Sequence, residues 1–97
     1  MKNIFALCYI LVAVVEIYGA EWCPYCRKSE KLLKDNKIDY IMHEVSNDRN
    51  ERAQFLQKKF NSSFIPQITI KGQNIGGYDN LRKLIESKEI HKMIKSR

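Results

Sequence analysis

The hydrophobic and polar positions of the chain alternate between strand-like and helix-like patterns. An apolar run rich in β-branched and aromatic residues ends at Gly19 and predicts a buried strand. A helical pattern follows, with Asn36 suited to a left-handed cap, and residues 38–45 predict a second strand covered on both faces. The predicted face of the first helix consists of Tyr25, Ser29, Leu32 and Leu33. A strand, a helix and a strand in succession imply a parallel crossover.

The second half of the chain predicts a helix, two strands and a last helix. Asp48 and Glu51 resemble a capping box before the second helix. Alternation within residues 64–71 predicts a half-exposed antiparallel strand, and Gly72 turns the chain into a short return strand. Asp79 is the predicted N-cap of the last helix. The predicted core positions of these two helices are Ala53, Leu56, Phe60, Leu81, Leu84 and Ile85.

Residues 1–13 form a separate apolar segment. One positive charge, at Lys2, precedes an uncharged run, as in a signal peptide. The run is too short to span a bilayer alone, and Glu16 interrupts any extension of it. A buried extension of the fold is the alternative, in which Cys8 is a small buried hydrophobic residue. We therefore divide the chain into this extension and one domain, residues 14–97.

Composition is that of a small globular domain, with 97 residues of which 44% are hydrophobic. Seventeen Lys and Arg residues against eleven Asp and Glu residues give a net charge of +6, with a basic cluster at 91–97. A solvated basic surface is the simpler interpretation, and attraction of anionic small molecules or acidic partners is the alternative. Aromatic residues do not interleave with the basic ones, so nucleic-acid binding is not favoured.

Candidate chemistry lies in Cys23-Pro24-Tyr25-Cys26, at the predicted junction of the first strand and the first helix. A helix N-terminus carries partial positive charge and unpaired N–H groups, which favour a nucleophilic thiolate at Cys23. Pro24 suits the first helical turn, which needs no N–H from it. Cys26 follows one turn later, within reach of the first sulfur. The pair is therefore a candidate redox centre.

Half of a zinc site and a structural disulfide are the other interpretations of this pair. A zinc site normally needs four nitrogen or sulfur ligands at recognisable spacing. The rest of the chain offers only Cys8, His43 and His91, which are not paired at such spacing. Redox chemistry is favoured, and no metal is expected.

Three separated motifs together resemble a dithiol glutaredoxin of the thioredoxin superfamily. They are Cys23-Pro24-Tyr25-Cys26 after a strand, Ile65-Pro66-Gln67 at the start of a later strand, and Gly76-Gly77-Tyr78-Asp79 before the last helix. The resemblance runs from about residue 14 to residue 87. It implies an α/β thioredoxin fold, a four-stranded mixed β-sheet flanked by helices on both faces.

The resemblance also implies roles for individual residues. Cys23 would attack a disulfide or a glutathione mixed disulfide, and Cys26 would resolve the intermediate. Pro66 would be a cis-proline facing the cysteines, and the backbone of Ile65 would pair with the cysteinyl part of glutathione. The other implied glutathione-binding residues are Tyr25, Tyr78 and Asp79. Ordinary packing of Tyr25 and a plain helix cap at Asp79 remain the alternatives.

Three positions depart from the glutaredoxin pattern. Ala20 stands where many family members carry a lysine that meets the glutathione carboxylate, Trp22 is commoner in thioredoxins, and Phe64 replaces a usual threonine. Other cations could replace the lysine, although each is simply solvent-facing in the alternative interpretation. These cations are Arg27, Lys28, Lys58 and Lys59.

The resemblance therefore predicts a glutathione-dependent oxidoreductase that reduces protein disulfides and glutathione mixed disulfides, with glutathione as co-substrate. Ala20 and Trp22 favour one alternative, a thioredoxin-like or ribonucleotide-reductase-donor redoxin reduced by a flavin reductase. A dimer that bridges an iron–sulfur cluster through Cys23 is a third possibility, which Pro24-Tyr25 disfavours. Expected partners are glutathione and disulfide-containing proteins, with ribonucleotide reductase as one candidate.

The expected location is the cytoplasm, and export or membrane association through residues 1–13 is the alternative. Nothing in the sequence requires more than a monomer.

Overall fold

The computed structural model describes residues 14–96, which form a four-stranded mixed sheet and four helices. In chain order these are β1 (Val15–Gly19), α1 (Pro24–Asp35), β2 (Tyr40–Glu44), α2 (Arg49–Phe60), β3 (Gln67–Ile70), β4 (Gln73–Gly76), α3 (Tyr78–Glu86) and α4 (Glu89–Lys95). The strand order is β2-β1-β3-β4. β1 and β2 are parallel, as the crossover predicts, and the other two pairings are antiparallel. The predicted extension, Cys8 included, lies outside the described residues.

The two faces of β1 pack against different helices. Val15 and Ile17 are fully buried and belong to a core cluster that also contains Leu33 of α1, Leu81 of α3 and Ile90 of α4. On the other face, the ring of Tyr18 lies 5.0 Å from the ring of Phe60 in α2. Helices therefore cover both faces of the sheet, and the predicted architecture is confirmed. Burying each large apolar side chain contributes about 1.5–3 kcal/mol to the free energy of folding.

The prediction that residues 38–45 form a strand covered on both faces is wrong. β2 spans only Tyr40–Glu44 and lies at the edge of the sheet, where Ile41 is 36% exposed. The two buried residues of this segment, Ile38 and Val45, lie just outside the strand. These two residues anchor the ends of an otherwise half-exposed edge strand.

The prediction of a half-exposed strand within residues 64–71 is also wrong, although its antiparallel pairing is confirmed. All four residues of β3 are buried, including the polar Gln67 and Thr69. β3 lies between β1 and β4, so both of its edges are paired. A buried polar side chain needs hydrogen-bond partners, and those of Gln67 prove central to the candidate site.

Helix α1 buries a narrower stripe than predicted, and it ends differently. Its buried residues are Cys26, Ser29 and Leu33, whereas Tyr25, which the helical spacing placed on the same face, is exposed. Asn36, the expected left-handed cap, has φ of −98° and is not left-handed. The left-handed residue after α1 is Lys37, with φ of 57°. The Asn36 side chain donates to the carbonyl of Leu32 at 2.8 Å.

Half of the predicted capping box forms at α2. The Asp48 carboxylate accepts from the backbone N–H of Glu51 at 2.9 Å. The Glu51 carboxylate does not reach back to Asp48, because it accepts from the hydroxyl of Ser46 at 2.8 Å. The same hydroxyl accepts from the backbone N–H of Asp48 at 3.0 Å. Ser46 therefore takes over the second half of the motif.

The N-cap of α3 is Gly77, so the prediction of Asp79 as the N-cap is wrong. Asp79 lies one residue beyond the start of the helix, in its first turn. Of the predicted core positions in α2 and α3, Leu56 and Leu81 are fully buried. The partly buried ones are Ala53, Phe60, Leu84 and Ile85.

We expect Leu56→Ala to lower the free energy of unfolding by about 2–5 kcal/mol, because it would open a cavity in the core. Leu56 is the one fully buried residue of α2, and it packs in a cluster with both cysteines. Phe55→Ala is the matched control, since Phe55 is the adjacent residue but 46% exposed, and we expect less than half the loss. Urea denaturation measures both. Equal losses would contradict the assignment of Leu56 as the anchor of α2.

Candidate active site

Cys23 is the N-cap residue of α1. Its backbone is extended, with φ of −90° and ψ of 116°, and Pro24 occupies the first helical position. The Cys23 Sγ atom accepts a hydrogen bond from the backbone N–H of Cys26 at 3.3 Å. The sulfur therefore stands where a capping oxygen usually does. A thiolate accepts this bond better than a thiol, and the helix dipole favours the same negative charge.

The loop between β1 and α1 holds Cys23 in this position. Its backbone N–H donates to the carbonyl of Ala20 at 3.1 Å, and its carbonyl accepts from the N–H of Arg27 at 3.1 Å. The Arg27 side chain donates in turn to the carbonyl of Glu21 at 3.3 Å. Helix and loop are thus joined on both sides of the sulfur.

The two thiols are both free, but their surroundings differ. Cys23 keeps 6% of its surface in contact with solvent, whereas Cys26 is fully buried. Burial, and after it the hydrogen bond with Cys23, raises the pKa of Cys26 from 9.0 to about 12. Cys26 is therefore a protonated thiol at neutral pH, held beneath the more accessible sulfur of Cys23.

Gly19 makes room for the sulfur of Cys26. A Cβ atom at Gly19 would collide with the Sγ of Cys26 and would lie 3.4 Å from the Cε of Met42. Gly19, which ends β1, therefore also packs directly against the thiol of Cys26. The sequence indicates Gly19 only as the end of a strand, because its contact with Cys26 depends on how α1 returns over the sheet.

A cleft of about 560 Å³ is lined by Tyr25 of the cysteine motif, but by neither cysteine. It brings together all five residues that the resemblance implies for glutathione binding, namely Tyr25, Ile65, Pro66, Tyr78 and Asp79. The Ile65–Pro66 peptide bond is cis, as the resemblance implies. Ile65 also packs against the buried cluster that contains both cysteines, which connects the cleft to the thiols.

Aromatic rings form part of the cleft wall. The rings of Tyr25 and Tyr78 have centroids 5.7 Å apart, and the Nζ of Lys28 lies 4.9 Å from the Tyr25 ring. Phe64, at the lip of the cleft, is 78% exposed. Tyr25 therefore lines the cleft rather than packing in the core, which was the alternative for this residue.

Among the four cations considered as substitutes for a lysine at position 20, Lys28 alone contacts a ring that lines the cleft. Lys59 instead lies 5.3 Å from the ring of Tyr18, on the α2 face of the sheet. Ala20 is fully buried in the cluster with the cysteines. A charged side chain could not be accommodated there without a change in packing.

Trp22 is held beside Cys23 by the start of α2. Its indole N–H donates to the side-chain oxygen of Asn47 at 3.1 Å, and the guanidinium carbon of Arg52 lies 5.2 Å from its ring. Arg52 also donates to the carbonyls of Ser46 and Asn47. The sequence did not indicate these partners, since they lie about 25 residues further along the chain.

Within residues 14–96, no three His, Cys, Asp or Glu side chains converge in a group that could hold a metal ion. His43, one of the potential ligands considered above, lies 2.6 Å from the Glu16 carboxylate and stacks on Tyr18 at 4.5 Å. The helices of this part of the chain also include none that is both long and apolar enough to cross a membrane.

Comparisons with known proteins agree on one family. The glutaredoxin family model matches residues 15–75. The chain is 33% identical to glutaredoxin-1 of Rhizophagus irregularis, over 82% of this chain and 81% of that protein. It is 34% identical to glutaredoxin 3 of Escherichia coli K12, over 75% and 87% of the two chains. The crystal structure of a buckwheat glutaredoxin–glutathione complex superimposes with a TM-score of 0.70 at 21% identity, covering 84% and 76%.

We expect Cys23 and Cys26 to differ sharply in their alkylation by iodoacetamide. In the Cys23→Ser variant, Cys26 should react far more slowly than an exposed cysteine up to about pH 9, because burial, the largest cause of its raised pKa, remains. In the Cys26→Ser variant, Cys23 should react at neutral pH. Mass spectrometry of the separate cysteine peptides measures both rates and keeps Cys8 apart. Parallel pH profiles for the two residues would refute the assignment.

We expect Gly19→Ala to destabilise the protein by about 1–3 kcal/mol, as overpacking of a filled core does. The matched test is a double-mutant cycle with Cys26→Ala, which removes the sulfur that the new methyl group would strike. The Cβ of Cys26 would still lie 3.2 Å from that methyl group, so the relief should be partial. Urea denaturation of the four proteins gives the coupling free energy. Additive losses would show that the two residues do not compete for the same space.

Proposed function

The chain belongs to the glutaredoxin family of thiol–disulfide oxidoreductases, and we propose that Cys23 and Cys26 are its catalytic residues. Its activity is thiol–disulfide oxidoreduction, and we propose that glutathione supplies the electrons. One observation carries the assignment of the two cysteines: the Sγ of Cys23 caps the N-terminus of α1, directly above the buried thiol of Cys26.

In the first step, the Cys23 thiolate attacks one sulfur of a target disulfide. The sulfur–sulfur bond of the target breaks, and a mixed disulfide forms between Cys23 and the attacked half. The other half leaves as a thiolate and takes up a proton. With a glutathionylated protein, attack on the glutathione sulfur releases the protein thiol and leaves glutathione on Cys23.

The second step regenerates or oxidises the pair. A second glutathione thiolate can attack the bound glutathione sulfur, which releases glutathione disulfide and restores the Cys23 thiolate. Alternatively, Cys26 loses its proton and attacks the Cys23 sulfur, which releases the bound thiol and forms the intramolecular disulfide. Because burial raises the pKa of Cys26 to about 12, Cys26 is a poor initial nucleophile. It would act after Cys23 has reacted.

We further propose that the cleft lined by Tyr25 binds glutathione. Within residues 14–96, the backbone N–H and carbonyl of Ile65 have no hydrogen-bond partner, so both are available to an extended ligand. The Gly77 N-cap lacks a side chain to satisfy the first N–H groups of α3, and these suit the γ-glutamyl carboxylate. The exposed carboxylate of Asp79 suits the adjacent ammonium group. Tyr25 and Tyr78 would form the wall between these ends.

The electron source is the main alternative within this chemistry. Ala20, which is buried, stands where many family members carry a lysine that meets a glutathione carboxylate, and Trp22 beside Cys23 is exposed. Both features favour a redoxin reduced by a flavin reductase. Lys28, at the edge of the cleft, favours glutathione. We propose glutathione as the co-substrate, with a buckwheat relative crystallised as a glutaredoxin–glutathione complex in support.

We also propose that residues 14–97 act as one domain and as a monomer, with residues 1–13 as an extension. Reduction of disulfides by glutathione requires a reducing compartment such as the cytoplasm, where the glutathione pool keeps thiols reduced, and we propose that location. Export or membrane association through residues 1–13 remains the alternative. Disulfide-containing proteins, ribonucleotide reductase among them, are the proposed protein partners.

We expect Cys23→Ser to abolish both the reduction of a dithiol-requiring protein disulfide and the deglutathionylation of a small mixed disulfide. Cys26→Ser should spare deglutathionylation, because glutathione can replace the second thiol, but should impair protein disulfide reduction. Both activities are measured through NADPH consumption with glutathione and its reductase.

The same preparation assayed with thioredoxin reductase in place of glutathione identifies the electron source. Turnover with thioredoxin reductase alone would overturn the glutathione proposal. Equal loss of deglutathionylation in the two cysteine variants would overturn the order of attack.

A further inference from the structure

Gln67 is a buried polar side chain at the start of β3, and it lines the cleft together with one of its hydrogen-bond partners, Phe64. It is 6% exposed. Its amide nitrogen donates to the carbonyl of Phe64 at 2.9 Å and to the hydroxyl of Ser62 at 3.3 Å. Its amide oxygen accepts from the side-chain nitrogen of Asn74 at 2.9 Å. A buried amide without these partners would be unfavourable, so the three groups are bound to one another through Gln67.

On one side, this network holds the segment that carries the cis-proline. Phe64 directly precedes the Ile65–Pro66 peptide bond, and all three residues line the cleft. Because Gln67 is buried, its bond to the Phe64 carbonyl ties that peptide group to the protein interior. The position of the next residue, Ile65, is thereby restricted, while its own backbone groups stay without a partner in residues 14–96.

On the other side, the network reaches the start of α3. The side-chain oxygen of Asn74 accepts from the backbone N–H of Gly76 at 2.5 Å. Gly76 has a positive φ of 100° and precedes Gly77, the N-cap of α3. The first residues of α3, Tyr78 and Asp79, line the opposite wall of the cleft. One side chain therefore joins the two walls through hydrogen bonds.

We propose that Gln67 is a positioning residue for the glutathione cleft, which sets the separation of the cis-proline segment from the start of α3. This inference rests on the proposed binding of glutathione in that cleft. A ligand that bonds to Ile65 and to α3 at once requires both walls at fixed positions, and small misplacements weaken such paired contacts strongly. Gln67 is itself among the residues that line the cleft, but its side-chain hydrogen bonds go to neighbouring protein groups, so it acts through Phe64 and Asn74.

The test measures how strongly Cys23 prefers glutathione to a thiol that lacks peptide groups. In the Cys26→Ser background, Cys23 is equilibrated with glutathione and its disulfide, and separately with 2-mercaptoethanol and its disulfide. The ratio of the two equilibrium constants for the mixed disulfide on Cys23 is the selectivity. We expect Gln67→Met, which keeps the side-chain length but removes the amide, to lower this ratio about tenfold.

Two further variants separate positioning from stability. Thr69→Val alters another buried polar side chain on the same strand, two residues further from the cleft, and we expect the ratio to stay unchanged while stability changes. Asn74→Ala, at an exposed hairpin residue, removes both the donor to the Gln67 oxygen and the acceptor of the Gly76 N–H. We expect it to lower the ratio about threefold, and to lower it by a smaller factor in the Gln67→Met background, because the link between Asn74 and Gln67 is then already lost.

The outcomes distinguish this inference from the proposed function. A parent ratio near one would overturn glutathione recognition, and the role of Gln67 with it. A high parent ratio that neither Gln67→Met nor Asn74→Ala lowers would overturn the role of Gln67 alone. An equal decrease with Thr69→Val would also overturn it, since the effect would then reflect general loosening of β3.

Discussion

The hydrogen bond from the backbone N–H of Cys26 to the sulfur of Cys23 is the contact on which the rest of the site depends. It exists because β1 ends at Gly19, a short loop follows, and Pro24 starts a helix that needs an acceptor at its N-terminus. A side-chain oxygen there would stabilise the helix and do nothing more. A sulfur in the same place becomes a nucleophile, because the charge that suits the helix is also the charge that attacks a disulfide.

The packing of the sheet explains why two cysteines only three residues apart behave differently. Cys26 faces inwards on the buried stripe of α1, with Ser29 and Leu33, and lies against Gly19 of the central strand β1. Cys23 lies at the helix end, where the loop leaves part of its surface open. Desolvation thus keeps one thiol neutral while the helix terminus favours charge on the other. The two cysteines differ because the end of β1 and the N-terminus of α1 meet at the cysteine motif.

Local motifs predicted the parts of the fold that depend on local physics. The cysteine motif, the turn at Gly72 and the Asp48 cap each involve residues near in sequence, and each is found in the structure. The exposure of β2 and β3 was predicted wrongly, because it depends on the order of strands across the sheet. Asp79 was expected to cap α3 because its side chain is a good acceptor, but Gly77 begins the helix.

In the candidate site too, the sequence indicated the local motifs but not the contacts between distant segments. The resemblance named five residues that do line one cleft, yet it did not indicate what holds them there. The partners of Gln67 come from residues 62, 64 and 74, and those of Trp22 come from the start of α2. Such contacts are set by the assembled fold, and no periodicity along the chain encodes them.

The position of Trp22 also has a practical consequence. It is the only tryptophan in the sequence, directly precedes Cys23, and is held in place by Asn47 and Arg52. Ultraviolet emission excited selectively through indole therefore originates within one residue of the attacking sulfur. The protein carries its own optical label at the reaction centre, and changes there can be followed in real time without attaching a dye.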